Sequence, residues 1–143
     1  MLRAVIDTNV IVSGVLSKKG APARLLDAWS ERRFNLVISE AILAEVQRVL
    51  SEPRLKQVFC ITDERIARLA ATLRKDGTLV PGSAAVHGAV LADSSDEKFL
   101  AAALDGGADM LVSGDKHLLA LESFQEMLIL TPRQFLDQLE SGG

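Results

Sequence analysis

Short apolar runs alternate along this chain with stretches of helical spacing, and that alternation constrains the fold more than any other feature. Residues 2–6 carry one charge, are otherwise apolar and stop abruptly at Asp7, the pattern of a buried strand that delivers a polar group from its carboxyl end. Residues 34–38, 78–80, 109–112 and 127–130 predict four further strands. Between them, Pro22 opens a predicted helix over 22–33, with Leu25, Leu26 and Trp29 at helical spacing. Ser39 is the predicted N-cap of a helix running to about residue 50, and Pro53 stops it. Thr62 caps another over 63–75, Gly106-Gly107 ends one over 96–105, and Thr131-Pro132 opens the last. Residues 81–92 show no clear period and read as loop, or loop and strand mixed. Strands alternating with helices imply an α/β fold, a mostly parallel sheet covered on both faces, whose ligands bind beyond the carboxyl ends of the strands.

At 143 residues the chain suits one domain, 1–140, with a short tail at 141–143. Its 48% hydrophobic and 24% charged residues are ordinary for a soluble globular protein, and no apolar run is long enough to cross a bilayer. The opening run reaches Asp7 at once and does not read as a signal peptide. A single cysteine, Cys60, has no internal disulfide partner, which suits a reducing cytoplasm, and it reads as buried filler rather than a catalytic thiol. A formal charge of −3 argues against loose nucleic-acid binding by bulk charge. Clustered carboxylates that hold divalent cations would account for part of that charge and be locally neutralised.

Four acidic residues fall where the sheet's rim is expected. Asp7 heads Asp7-Thr8-Asn9 after the first strand, and Asp115 closes Ser113-Gly114-Asp115 after the fourth. Asp96 starts the helix entering that fourth strand. Glu45, at about 100° per residue, borders the stripe of Ile42, Val46 and Val49 and can lean toward the rim, whereas Glu40 and Gln47 cannot. Each has a plainer alternative taken singly. Asp7 is then a loop or cap residue, Glu45 a surface glutamate, and Asp96 and Asp115 helix caps, with Ser95 a rival to Asp96. Gathered together, they would repel one another unless protonated or bridged by cations. Oxygen-only ligands suit Mg²⁺ or Mn²⁺, and the chemistry they support is in-line attack of activated water on a phosphodiester. Cys60, His87 and His117 lack zinc-ligand spacing.

These residues, in this order, resemble the PIN-domain family, and within it the VapC-like toxin components of toxin–antitoxin pairs. The likeness runs through Val5-Ile6-Asp7-Thr8-Asn9-Val10, Ser39 to Val46, Asp96-Glu97-Lys98-Phe99-Leu100, Ser113-Gly114-Asp115 and Thr131 to Leu136. It implies a three-layer α/β/α sandwich with a five-stranded sheet and a Mg²⁺- or Mn²⁺-dependent ribonuclease. By the same resemblance Asp7, Glu45, Asp96 and Asp115 are metal ligands, Asp93 is an additional candidate, and Asn9 and Ser113 are polar supports. A cytoplasmic homodimer silenced by a cognate antitoxin is also implied. One motif departs from the family: Asp93-Ser94-Ser95-Asp96 has serine where proline and a further aspartate are usual.

Two other functions compete with an endoribonuclease that leaves 5′-phosphate and 3′-hydroxyl ends. The serines at 94 and 95 favour a degenerate PIN domain that binds RNA or a protein without cutting. A haloacid-dehalogenase-like phosphatase also begins with a strand ending in aspartate, but its chemistry wants a second aspartate where Asn9 stands.

Overall fold

The structure, a computed structural model, describes residues 1–86 and 96–141. In chain order its elements are β1 (Arg3–Ile6), α1 (Thr8–Leu16), α2 (Ala21–Ser30), β2 (Asn35–Ser39), α3 (Glu40–Leu50), α4 (Pro53–Phe59), α5 (Asp63–Asp76) and β3 (Thr78–Val80). After the undescribed stretch come α6 (Glu97–Gly106), β4 (Met110–Val112), α7 (Lys116–Leu119), β5 (Ser123–Phe124), β6 (Met127–Leu130) and α8 (Pro132–Glu140).

The strands lie in the order β3-β2-β1-β4-β6-β5. All neighbours are parallel except β5, which returns antiparallel along β6. The five strands expected from sequence are all present. The sheet has a sixth among the described residues because Ser123–Phe124 pairs through a tight turn in which Gln125 and Glu126 take positive φ. Two paired residues leave no periodic trace in a sequence.

Consecutive buried residues show that the central strands are covered on both sides. Ala4, Val5 and Ile6 in β1, Leu36 to Ser39 in β2 and Met110 to Val112 in β4 are all buried. Their hydrophobic members belong to one apolar cluster with Ile11, Leu25, Ile42, Leu43, Leu100 and Phe135. Leu25 is fully enclosed in it, and Trp29 packs against its border.

The expected caps are in place. Ser39 accepts from the Ile42 N–H at 3.3 Å and Thr62 from Arg65 at 3.1 Å. Thr131 and Gln134 complete a reciprocal capping box. Gly107, left-handed at φ 58°, ends α6. Besides the four-residue α7, which the alternative reading of Asp115 as a cap allows, two helices lie outside the expected set. One is α1, whose residues are largely β-branched; the other is α4, which buries no side chain and so carries no amphipathic signal. Cys60, read from sequence as buried, is exposed at the left-handed end of α4. Of the stretch 81–92, residues 81–86 are irregular, and the rest, with His87, Asp93, Ser94 and Ser95, lies outside the described residues.

Candidate active site

The chain runs β1, β2, β3 outward in one direction and β4, β6 in the other, so the sheet's switch point lies between β1 and β4. That is where an open α/β sheet forms its ligand crevice. Ile6 and Val112 are register partners, and the Asp7 N–H still donates to the Val112 carbonyl at 3.0 Å. The residues that follow these two strands are thereby set side by side.

Asp7 is 5% exposed and caps α1. Its Oδ1 accepts from the Val10 N–H at 2.9 Å, and its Oδ2 accepts from the Ser113 hydroxyl. Ser113, fully buried, also accepts from the Asp115 N–H at 2.9 Å, so one hydroxyl links the two aspartates. Asp115 in turn caps α7 through its Oδ1 and the His117 N–H. Burial pushes the Asp7 carboxyl above its ordinary range, and the charge of Asp115 adds to that. The Ser113 hydroxyl and the Val10 and Gly114 N–H groups oppose the rise without cancelling it.

A cleft of about 520 Å³ opens over this pair. Asn9, Ser13 and Pro22 line it from the α1–α2 side, and Gly114, Lys116, His117 and Pro132 from the other. Asn9 thus stands in the cleft wall, exposed, while Ser113 lies beneath it as the link between carboxylates. Ser13 and Pro22 had no sequence signal as site residues; a reading of α1 as a helix would have placed Ser13 one turn beyond Asn9.

Glu45 takes its place through different partners. It is half-buried on α3, with Oε2 at 2.8 Å from the Lys98 ammonium. The Thr8 hydroxyl, buried next to Asp7, faces the same carboxylate, although its geometry falls short of a full hydrogen bond. Burial works against the charge on Glu45, but Lys98 and Thr8, with the positive charge of Arg48, outweigh it and hold the carboxyl below the usual glutamate range. Asp96 occupies the N-cap position of α6 without a side-chain capping bond, two residues before Lys98. Asp7 and Asp115 are therefore brought together, while Glu45 lies near the hydroxyl of Thr8, the residue after Asp7, without a hydrogen bond to it. Among the described residues, no group of three or more His, Cys, Asp or Glu side chains is close enough to hold one ion. Lys98 was missed in sequence because its partner is on a distant helix.

The donor set fits a hard divalent cation. It offers only oxygens, it keeps a buried carboxylate whose charge is uncompensated, and it leaves the Thr8 hydroxyl without a complete partner. Mg²⁺ is typically held through one or two carboxylates, waters and substrate phosphate, and Asp7 and Asp115 are two neighbouring carboxylates of that kind.

Comparison with known proteins agrees with this geometry. An uncharacterised protein of Methanocaldococcus jannaschii is 25% identical over 147 residues, spanning 97% of this chain and 92% of its own length. A chain of the VapBC2 crystal structure from Rickettsia felis, bound to a DNA fragment from its promoter, superposes with a TM-score of 0.57. It is 15% identical, covers 90% of this chain and 97% of the other, and shares the fold. No helix among the described residues is long and apolar enough to cross a membrane. The family model for the PIN domain matches residues 3–117, from the first strand to the cap of Asp115, and the chain belongs to the PIN-domain family.

Proposed function

We propose that this chain is a Mg²⁺- or Mn²⁺-dependent endoribonuclease and the toxin of a toxin–antitoxin pair, cutting RNA in the Asp7–Asp115 cleft. The observation that carries the reading is the buried Asp7 carboxylate, tied through Ser113 to Asp115 at the switch point of a PIN-family sheet. When bound, the cation supplies charge neutralisation at phosphate and a water acidic enough to attack. Asp7 and Asp115 are its holders, and Glu45, Asp96 and Asp93 are the further ligands of the proposal. Ser113 fixes the orientation of Asp7. Asn9, in the cleft wall, is placed to hydrogen-bond a ligand or a phosphate oxygen, and Lys116 on the opposite wall supplies positive charge for the RNA backbone. The products would carry 5′-phosphate and 3′-hydroxyl ends. A homodimer in the cytoplasm, restrained by a cognate antitoxin, completes the reading by its likeness to VapC.

The test is RNA cleavage by purified protein with Mn²⁺, set against Asp115→Asn and against EDTA. A drop of roughly a hundredfold or more is expected in both controls, in line with the loss of metal-site electrostatics. Equal cleavage by Asp115→Asn would sink the assignment. A second reading, binding without cutting, is favoured by one observation: Glu45 is already neutralised by Lys98. RNA retention with no cleavage in Mn²⁺ is its signature. The phosphatase alternative is set aside by the family match and by the exposed Asn9 where its second aspartate is needed.

A further inference from the structure

The ion pair between Lys98 and Glu45 differs from the other ion pairs among the described residues. Arg24–Glu140, Lys56–Asp63, Arg68–Glu64 and Arg74–Glu40 each have at least one side chain more than half exposed. Lys98 and Glu45 are only 19% and 20% exposed. They join two helices, α6 and α3. The Lys98 ammonium also lies 5.0 Å from the centroid of the buried Phe99 ring, a second favourable seat for a cation. A positive charge is therefore built into the fold at a carboxylate that lies near Thr8, the residue next to Asp7 in the chain.

We propose that Lys98 is an internal counter-ion of Glu45 that competes with a divalent cation for this carboxylate and so sets the cation affinity of the site. The proposal rests on the metal-dependent reading above. Without a divalent ion, Lys98 keeps Glu45 ionised, paired and pointed at the site. For Glu45 to join a metal site, its carboxylate must exchange one cation for another, and the flexible lysine stem lets the ammonium, which lies over Phe99 while paired, swing out into solvent. An arginine would hold the same place with a charge that does not leave so readily, because its planar fork binds a carboxylate through two parallel bonds. Lys98 is a positioning residue here, acting through Glu45 rather than on substrate.

Calorimetric titration of the whole protein with Mn²⁺, without RNA, tests this. Lys98→Met removes the competitor while keeping the length of the stem, and it should tighten Mn²⁺ binding by about tenfold. Lys98→Arg should bind no more tightly than wild type. In a Glu45→Gln background the Lys98→Met gain should vanish, since the two then no longer couple. Unchanged or weaker binding by Lys98→Met, while wild type binds normally, overturns the role of Lys98 and leaves the nuclease reading standing. Absence of Mn²⁺ binding in both proteins overturns both. A measurement on wild type alone covers a variant that does not fold: the NMR signal of the Lys98 side chain, followed during Mg²⁺ titration, should move from its paired to its released position. A signal that stays put at saturation is incompatible with the proposal.

Discussion

Ser113 stands 106 positions from Asp7, yet its hydroxyl donates to the Asp7 carboxylate while accepting from the Asp115 N–H. The parallel register of β1 and β4 produces this contact, because Ile6 pairs with Val112 and each strand's next residue then meets the other's. A hydroxyl can serve as donor and acceptor together, which an amide N–H or a carboxylate cannot do. One small side chain thus stabilises the buried charge and fixes the loop that carries its partner.

Ser113→Ala should therefore cost more than an ordinary lost hydrogen bond. It strips a donor from a buried carboxylate and leaves the Asp115 N–H without its acceptor. Bonds to charged groups are worth about 1.5–3 kcal/mol, so a fall in Tm of roughly 4–8 °C is expected for a domain of this size. Thermal unfolding at pH 7 measures it. A midpoint equal to that of wild type would show that the bridge carries no stability.

Asp7 gives a pH dependence of defined sign in EDTA. Its folded carboxyl titrates above its unfolded value, chiefly because it is buried. Between those two values the folded state keeps a proton that the unfolded chain has released, so stability falls as pH rises through the window. The favourable contribution is whole below the unfolded value and lost above the folded one. Asp7→Asn, which cannot ionise, should raise Tm at pH 7 in EDTA, and the gain should shrink as pH falls toward the carboxylate range. Thermal scans across that range check it; a gain independent of pH would assign the effect to something other than ionisation. The same substitution should abolish Mn²⁺-dependent cleavage.

Asp7 and Asp115 are legible in the sequence as rim residues because an apolar run that breaks near an acid marks the end of a buried strand. Ser39, Thr62 and Thr131 are legible as caps for an equally local reason: a hydroxyl before a periodic stretch has few other uses. The misses share one cause, that the deciding contact is distant in sequence. Val10, Ile11, Val12 and Val15 carry β-branched side chains, and the consecutive apolar run at 10–12 suits a buried strand as well as a helix, so only the packing of α1 on α2 and α3 reveals them as helical. Cys60 looked like core by residue type, but α4 presents no buried face on which it could lie. Glu45 was placed by periodicity, whereas its partner Lys98 required the tertiary approach of α3 to α6.

Thr131→Ala tests the last helix. The Thr131 hydroxyl accepts from the Gln134 N–H at 3.1 Å, and the Gln134 side chain accepts from the Thr131 N–H at 2.9 Å. Losing the hydroxyl frees one helix-end donor and should cost about 1 kcal/mol. Since α8 buries Phe135, Leu136 and Leu139, the loss should appear as lower global stability with fraying of hydrogen-exchange protection in α8. Protection unchanged in α8 would mean that packing alone holds the helix.

Gly106 is a point of close approach between α6 and the sheet. A Cβ at this position would lie 2.5 Å from the Val37 Cγ1 and 3.0 Å from its Cγ2. Val37 is 1% exposed in β2 and β-branched, with one strongly preferred rotamer, so it has nowhere to retreat. Gly106→Ala should consequently destabilise by about 1–3 kcal/mol through overpacking, despite the better helix propensity of alanine. Val37→Ala alone should also destabilise, by opening a cavity. The double substitution discriminates the cause: if the clash is what matters, the new methyl fits the space that Val37 vacates, and the pair should be more stable than the two single losses added together. Additive losses in denaturant unfolding would place the cost of Gly106→Ala in the helix end itself and not in its contact with Val37.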